Sequence, residues 1–244
     1  MIPAPLRSAL VFALPALLVG LAAGVFLQAR TSAGGGNRAA IENVVHDYIL
    51  DHPEILPEAM DRLQARENQA RIAPMRGALE TPFPGAVLGN PRGTVTLVEF
   101  TDFACTYCRK SVADVAALVR ANPDLRVVVR ELPIIAPESE PAARMGLAAA
   151  AQGRYAAFHE AMFAGARPSA ASIAAAAKVA GLDLARAQAF ATRGEVQQEL
   201  ERNLGFARQL GISGTPAWLI GKDMIAGAVG QARLQQAIDA ARKG

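Results

Sequence analysis

Cys105 and Cys108 are the only cysteines in this chain of 244 residues, and the dipeptide Thr106-Tyr107 separates them in the stretch FACTYCRK. Two thiols at this spacing suit three kinds of chemistry: a structural disulfide, a metal site, or a redox centre that opens and closes. A disulfide that closes so short a loop removes little entropy from the unfolded chain. A purely structural bond is therefore the poorest of the three interpretations.

A metal site would need ligands beyond the two cysteines. Structural zinc is normally held by four Cys or His side chains, whereas this chain adds only His46, His52 and His159. None of the three histidines stands at a zinc-ligand spacing from the cysteines. Cu(I) is a soft ion that two thiolates bind alone, so copper binding stays open as an alternative.

The redox interpretation accounts for more of the sequence. The run TVTLVEF (94–100) is β-branched and apolar, as in a buried strand, and a helical pattern begins directly after it at the cysteines. Cys105 is therefore expected at the start of a helix, where unpaired N–H groups and the helix dipole favour a thiolate. Arg109 and Lys110 add positive charge nearby. Cys108, one turn further along, is predicted to be the buried partner that resolves mixed disulfides.

The elements around the cysteines predict an α/β domain over residues 81–244. The run LRVVVRELPI reads as a second buried strand, so strand, helix and strand form a βαβ unit with a parallel pair. From about residue 138 to 210 the pattern is helical and alanine-rich, and it indicates three or four helices. Strand patterns return in TPAWLIG and MIAGAV, and a closing helix follows. A helical block thus interrupts an α/β domain.

The N-terminal region is predicted to export the rest of the chain. Residues 8–29 carry no charge and follow Arg7, a pattern that fits either a secretory signal peptide or a membrane anchor. We assign residues 1–30 to this signal or anchor and residues 31–40 to a flexible linker. The expected location is the periplasm, either as a soluble protein after cleavage or anchored to the inner membrane by residues 8–29.

Residues 41–76 are predicted to form two amphipathic helices with a bend, because apolar residues recur at helical spacing on both sides of Pro53 and Pro57. An apolar stripe outside the main domain must be buried somewhere. It either folds back on the domain or pairs with copies of the same chain through residues 41–75. Both possibilities remain open at this point.

The charge distribution argues against nucleic-acid binding. The 25 Lys and Arg residues exceed the 22 Asp and Glu residues by only three, and the basic residues are scattered along the chain. We therefore expect no nucleic-acid partner.

The order of these elements resembles the DsbA-like branch of the thioredoxin superfamily. The shared features are a strand, a CxxC motif at a helix start, a helical insertion, and a later strand that begins Gly214-Thr215-Pro216. The resemblance implies a thioredoxin fold interrupted by an α-helical insertion. It also implies a protein disulfide oxidoreductase whose redox group is a Cys105–Cys108 disulfide, with no other cofactor.

The resemblance also implies roles for single residues. Pro216 would be the cis-proline that packs beside the cysteines. Glu99, six residues before the first cysteine, would be a buried carboxylate that helps proton transfer to the inner thiol; the alternative is an ordinary Glu that faces water. The substrate would meet the residues around the motif. We expect these contacts from Thr106, Tyr107, Thr215 and, if it is exposed and not packed in the core, Phe103.

Finer features of the resemblance point to function and partners. Tyr107, where strongly oxidising DsbA enzymes have His, and Thr215 before the proline resemble the disulfide isomerases, whereas Thr106 replaces a common Pro. We therefore lean to an isomerase or reductase. A disulfide-donating oxidase and a non-enzymatic copper-binding or redox-buffering protein are the alternatives.

The N-terminal stretch VVHDYILDHPEILPEAMDRLQ resembles ScsC-like and Com1-like proteins, in which such helices oligomerise the catalytic domains. The expected partners are exported cysteine-containing proteins and a membrane redox protein. The latter would be a DsbD-like or ScsB-like reductant, or a DsbB-like oxidant, and the sequence leaves the direction of electron flow open.

Overall fold

The computed structural model of the chain describes residues 20–25 and 38–243. The chain divides into two units, Met1–Arg62 and Leu63–Gly244. Most of the predicted signal or anchor segment and linker residues 31–37 lie outside the described residues. Within the described part of the chain, no helix has both the length and the apolar character needed to cross a membrane.

The first unit contains helix α1 (38–51) and the start of helix α2 (Ile55–Ile72), with a short turn at Pro53 between them. The structure thus has the two N-terminal helices and the break that the sequence predicts. Residues 38–40, predicted as the end of the linker, already belong to α1. Five apolar side chains of α1 are more than half exposed: Ile41, Val44, Val45, Tyr48 and Leu50.

The second unit is built on a five-stranded sheet with the order β1-β3-β2-β4-β5. Its strands are β1 (Val87–Gly89), β2 (Val95–Thr101), β3 (Leu125–Glu131), β4 (Ala217–Ile220) and β5 (Asp223–Ala226). As predicted, β2 and β3 are parallel, whereas the other neighbouring strands are antiparallel. The sequence analysis missed β1, because a three-residue strand in a turn-rich segment shows no strand periodicity.

One face of the sheet is covered by α4 (Thr106–Ala121) and α10 (Gln231–Ala241). Leu118 of α4 and Ile238 of α10 are buried in one cluster with Leu97 and Val127 of the sheet. The helical insertion between β3 and β4 contains five helices, more than the three or four predicted. They are α5 (Ser139–Ala151), α6 (Tyr155–Ala164), α7 (Ala170–Val179), α8 (Leu184–Ala191) and α9 (Gly194–Leu210).

The opposite face of the sheet is covered by the end of α2, a 3-10 turn (Ala73–Met75), α3 (Arg76–Glu80) and part of α9. Ile72 and Leu79 are buried there against Phe100 of β2. The domain boundary predicted from the sequence, which starts the α/β domain at residue 81, lies beyond these two buried side chains. Because Ile72 and Leu79 complete the core, the second unit begins within α2, and the later part of the predicted amphipathic segment folds back on the domain.

Arg130 fixes this returning segment to the sheet. The guanidinium group is fully buried and donates to the Glu199 carboxylate at 2.6 Å. It also donates to the carbonyl oxygens of Ala78, Leu79 and Thr81 at the end of α3. A buried charge is tolerated only with such partners, so Arg130 joins α3, α9 and β3 in one arrangement.

Candidate functional site

Cys105 lies at the junction between β2 and α4, as predicted. It is the N-cap residue of α4, and its sulfur accepts a hydrogen bond from the backbone N–H of Cys108 at 3.4 Å. Its thiol donates to the carbonyl oxygen of Thr215 at 3.1 Å. The peptide bond that follows, Thr215–Pro216, is cis, as the resemblance implies. The CxxC motif and the Gly-Thr-Pro segment, which are distant in sequence, therefore meet in the fold.

Cys108 lies one turn into α4 and is 1% exposed, which confirms its predicted burial. Burial raises the pKa of its thiol far above the ordinary value. The hydroxyls of Thr215 and Thr101 lie against the sulfur and offset part of this effect, although neither is in full hydrogen-bond geometry. Cys108 is therefore a protonated thiol at neutral pH, and it needs a proton acceptor before its sulfur becomes a nucleophile.

Glu99 is the candidate for this acceptor. It is 2% exposed and stands in register with Val129 of β3 and Trp218 of β4. Burial raises the pKa of its carboxyl to about 8, and its charge raises the pKa of Cys108 further. The structure excludes the water-facing alternative for Glu99. Its part in proton transfer stays a prediction.

Asp102 holds the loop that carries Cys105, and the sequence analysis did not single it out. Its buried carboxylate accepts the backbone N–H of Ala104 at 2.8 Å and the N–H groups of Ile134 and Ile135 at 2.8 and 2.9 Å. The loop after β2 is thus tied to the loop after β3. The sequence signal for Asp102 is weak, because its partners lie about thirty residues away in another element.

A second buried carboxyl, Glu131, was also missed. It lies on the same face of β3 as Val127 and Val129, and its Oε1 accepts a hydrogen bond from the Tyr155 hydroxyl at 2.7 Å. Burial is the main cause that raises the pKa of both Glu131 and Tyr155. The strand periodicity of β3 contained a usable signal, because residues 127, 129 and 131 must face the same side.

The residues predicted to contact a substrate fall into two groups. Thr106 is exposed, and Tyr107 is 61% exposed with the Lys110 ammonium group 5.5 Å from its ring centroid. Thr215 is mostly buried, but its carbonyl faces Cys105. Phe103 was expected to contact substrate only if exposed; its ring is 1% exposed, so the packing alternative describes it. The insertion buries this ring among Phe158, His159 and Phe163.

A groove of about 220 Å³ lies beside the cis-proline, lined by residues 211–217 and 224–227. It reaches Thr215 and Pro216, and therefore lies next to the Cys105 thiol. A larger cavity of about 590 Å³ between β1, α4 and α6 contains neither cysteine in its lining. The smaller groove is the better candidate for a peptide that reacts at Cys105.

Two other polar side chains near the site, Arg109 and His159, are held by neighbouring elements of the fold. Arg109 donates to the carbonyl oxygens of Phe163 and Gly165, so part of the positive charge expected near Cys105 fixes the end of α6. His159 is buried, and burial lowers the pKa of its imidazole to about 4. Over the described ranges, no three His, Cys, Asp or Glu side chains are grouped so as to hold a metal ion.

Residues 96–239 match the sequence model of the DSBA-like thioredoxin domain. Residues 37–70 match that of the copper resistance protein ScsC N-terminal domain. A search of curated proteins finds no match. Residues 71–95, which contain α3 and β1, lie between the two family matches.

Solved structures with the same fold include three informative relatives. A thioredoxin-like oxidoreductase from Silicibacter pomeroyi DSS-3 is 41% identical, with 65% of this chain and 92% of that chain covered and a TM-score of 0.63. A linker-deletion mutant of Proteus mirabilis ScsC is 25% identical, with 84% and 95% covered and a TM-score of 0.67. A periplasmic thioredoxin-like protein from Salmonella enterica serovar Typhimurium is 27% identical, with 70% and 97% covered and a TM-score of 0.63.

We expect Glu99→Gln to change how the free energy of unfolding depends on pH. Burial raises the pKa of this carboxyl from 4.5 to about 8. A raised carboxyl pKa adds stability that is complete below the unfolded-state pKa and is lost as the pH rises through the folded-state pKa. Gln does not titrate, so the variant should lose this dependence, which amounts to on the order of 5 kcal/mol at most.

Urea unfolding of the reduced proteins between about pH 5 and about pH 9 measures this effect. Glu199→Gln is the matched control, because it removes a buried carboxylate on the Arg130 side of β3. The control should lower stability without flattening the pH dependence. A Glu99→Gln protein with the same pH dependence as the wild type would contradict a buried, protonated Glu99.

Proposed function

Because the chain belongs to the DsbA-like thiol-disulfide oxidoreductase family, we propose that it exchanges disulfides with exported proteins in the periplasm through Cys105 and Cys108. The hydrogen bond from the Cys105 thiol to the Thr215 carbonyl supports this proposal most directly. It places a thiol at a helix start beside cis-Pro216, with a second thiol buried behind it. The Salmonella relative is described as periplasmic, which supports the location.

In the proposed reaction, the Cys105 thiolate attacks one sulfur of a substrate disulfide. A bond forms between Cys105 and that sulfur, the substrate S–S bond breaks, and the other substrate sulfur leaves as a thiolate. The Glu99 carboxylate then takes the proton of Cys108, whose sulfur attacks Cys105. The Cys105–Cys108 disulfide forms, and the substrate leaves with both sulfurs reduced.

The same mixed disulfide serves isomerisation. If a second substrate thiolate attacks it before Cys108 does, the substrate leaves with a new disulfide and Cys105 is a thiolate again. Rapid resolution by Cys108 favours net reduction, whereas slow resolution favours rearrangement. The high pKa of Cys108 slows its attack, since only a proton acceptor such as Glu99 makes the thiolate available.

We assign the substrate contacts to the exposed side chains beside Cys105 and to the groove beside Pro216. An extended peptide in the groove beside Pro216 would bring its cysteine to Cys105, with main-chain groups near Thr215. Tyr107 and Thr106 form the exposed rim on the other side of Cys105. Tyr107 and Thr215 are also the residues that support the isomerase or reductase direction over the oxidase direction.

The redox state of the protein in the cell that makes it tests this direction. We expect Cys105 and Cys108 to be mostly thiols, because a membrane reductant of the DsbD or ScsB type would keep them ready to attack wrong disulfides. Acid quenching and alkylation with a mass-shifting maleimide count the free thiols. A mostly oxidised pair would contradict this direction and would favour an oxidase recharged by a DsbB-type partner.

We expect Cys108→Ser to accumulate mixed disulfides between Cys105 and exported proteins, because the resolving thiol is missing. Non-reducing gels and mass spectrometry of the trapped species measure this outcome. Cys105→Ser is the control, since it leaves only a thiol that is 1% exposed and should trap nothing.

The trapping experiment also distinguishes a redox enzyme from a non-enzymatic copper-binding or redox-buffering protein. If Cys108→Ser traps no partner while the wild-type pair binds Cu(I), the enzyme proposal fails. A copper-binding or redox-buffering protein would then replace it.

We further propose that copies of the chain associate through their N-terminal helices, within the predicted segment 41–75. The exposed apolar side chains of α1 continue into α2 with Leu56 and Met60. A row of apolar side chains at helical spacing without cover in its own unit suits a helix of a second copy. The match of residues 37–70 to the ScsC N-terminal domain supports this part of the proposal.

Substitutions on α1 test the association. We expect Val44→Lys combined with Tyr48→Lys to convert the wild-type oligomer to a monomer, because both side chains lie on the apolar stripe and are more than half exposed. Size-exclusion chromatography with light scattering measures the mass. Asn43→Lys, on the opposite side of α1, should leave the oligomer intact. A monomeric wild type, or an oligomer that tolerates both lysines, would contradict the proposal.

A further inference from the structure

Glu131 has a buried carboxyl group that takes no part in the exchange reaction described so far. It is 1% exposed and pairs in register with Thr101, two residues beyond Glu99 on the same face of β2. Glu99 and Glu131 are thus diagonal neighbours on adjacent strands. Oε2 of each carboxyl is buried and has no hydrogen-bond partner among the described residues. Two unpartnered carboxyl oxygens therefore lie in one buried region.

The surrounding elements fix the position of the Glu131 carboxyl. Its Oε1 accepts from the Tyr155 hydroxyl of α6 at 2.7 Å, and its backbone carbonyl accepts from the Asn203 amide of α9 at 3.1 Å. A Cβ atom at Gly146 of α5 would lie 3.0 Å from Oε1 and 3.3 Å from the Phe103 ring. Helix α5 therefore packs over this carboxyl through a glycine, α6 holds the carboxyl itself, and α9 holds the backbone of the same residue.

Burial is the main cause that raises the pKa of Glu131; the hydrogen bond from Tyr155 lowers it, and Asp102 and Glu99 raise it. Tyr155 faces the carboxyl from α6, and Asp102 and Glu99 face it from the loop after β2 and from β2 itself. His159 packs against the Tyr155 ring, Cys108 of α4 lies near Glu99, and the contact from α5 is Gly146. Arg130, the neighbour of Glu131 in sequence, points to the opposite face of β3.

Burial raises the pKa of Glu131 well above its ordinary value, and the charges of Asp102 and Glu99 raise it further. The imidazole of His159 is uncharged at neutral pH, because burial lowers its pKa to about 4. Since two neighbouring buried carboxyls resist ionising together, Glu131 keeps its proton when Glu99 ionises.

No hydrogen bond joins Glu131 and Glu99 in the described structure. We propose that Glu131, oriented by Tyr155, holds one proton and forms such a bond, as the donor, to the Glu99 carboxylate that arises whenever Glu99 and Cys108 exchange a proton. The inference rests on the proposed exchange reaction and deepens it. Glu131 acts through Glu99, so it is a positioning residue and not a catalytic one. A buried carboxylate without a donor is costly, and Glu131 supplies that donor in a region buried from bulk solvent.

The proton and electron balance is complete without another reactant. When a substrate thiolate attacks Cys105 of the disulfide form, the Cys105–Cys108 bond breaks and Cys108 leaves as a thiolate. Glu99 gives its proton to that thiolate and becomes the carboxylate that Glu131 stabilises. In the reverse direction the Glu99 carboxylate takes the proton of Cys108, and the sulfur electron pair forms the bond to Cys105. Glu131 keeps its own proton in both directions.

Two substitutions separate this role from simple packing. Glu131→Gln keeps an oxygen for the Tyr155 hydroxyl and places an N–H donor where Oε2 stands, whereas Glu131→Met fills a similar volume without a donor. We expect Glu131→Met to raise the titration midpoint of Glu99 by about one pH unit or more. Glu131→Gln should leave it within about half a unit.

Trp218 provides the readout, because it is the only tryptophan and stands in register with Glu99 on β4. A pH titration of its fluorescence in the reduced full-length protein should follow the ionisation of Glu99. Glu99→Gln should abolish the transition, which assigns it. Glu199→Gln, a buried carboxylate bound to Arg130, should lower stability without moving the midpoint.

The second readout is the rate at which oxidised glutathione converts the reduced protein to the Cys105–Cys108 form. At neutral pH this rate should fall about tenfold in Glu131→Met, as a one-unit shift requires, and stay near the wild-type rate in Glu131→Gln. The fluorescence titration does not need the exchange reaction. Suppose that Glu131→Met shifts the Glu99 midpoint but that the wild-type protein never forms the Cys105–Cys108 disulfide. That result would overturn the proposed function and would support the interaction between Glu131 and Glu99.

An unchanged midpoint in Glu131→Met would overturn the inference, and so would a lower one, because a lower midpoint means that Glu131 carries a charge. If this variant does not fold, Tyr155→Phe takes its place. It removes the hydroxyl that orients Glu131 and should raise the Glu99 midpoint by a smaller amount. An unchanged midpoint in Tyr155→Phe would then overturn the inference.

Discussion

The burial of Cys108 is the constraint on which the rest of the site depends. A thiol that is 1% exposed cannot give its proton to water, so its reaction requires a protein group that accepts the proton. Glu99 stands on the strand beneath it, and the same burial raises the pKa of Glu99 toward neutrality. One physical effect thus makes Cys108 a weak acid and gives Glu99 the raised pKa on which its proposed proton exchange with Cys108 depends. Cys105, at the start of α4 and 5% exposed, is the sulfur that we propose to react with other molecules.

The fold positions these groups through contacts between residues that are far apart in the sequence. The parallel pair of β2 and β3 places Glu99 and Glu131 on the face that α4 covers. Asp102 ties the loop before Cys105 to the loop after β3, and the Thr215 carbonyl holds the Cys105 thiol. The helical insertion then closes the buried side with Tyr155, while the exposed side keeps Tyr107 and the groove beside Pro216.

Much of this fold could be predicted from the sequence, because periodicity and the CxxC motif are local signals. The βαβ unit, the position of Cys105 at a helix start and the burial of Cys108 follow from them, and the family resemblance added Pro216 and Glu99. The roles of Asp102 and Glu131 could not be predicted, since their partners come from other elements. The choice between packing and exposure for Phe103 stayed open for the same reason: the helices that bury its ring begin more than thirty residues later.

We propose above all that Cys105 and Cys108 act as one redox couple, in which Cys108 resolves the mixed disulfides that Cys105 forms. Equilibration with mixtures of reduced and oxidised glutathione, followed by acid quenching and mass spectrometry, tests this most directly. The account predicts that both thiols disappear together in one transition and that the product is an intrachain Cys105–Cys108 disulfide. A stable glutathione adduct on Cys105 with Cys108 still a free thiol would contradict it.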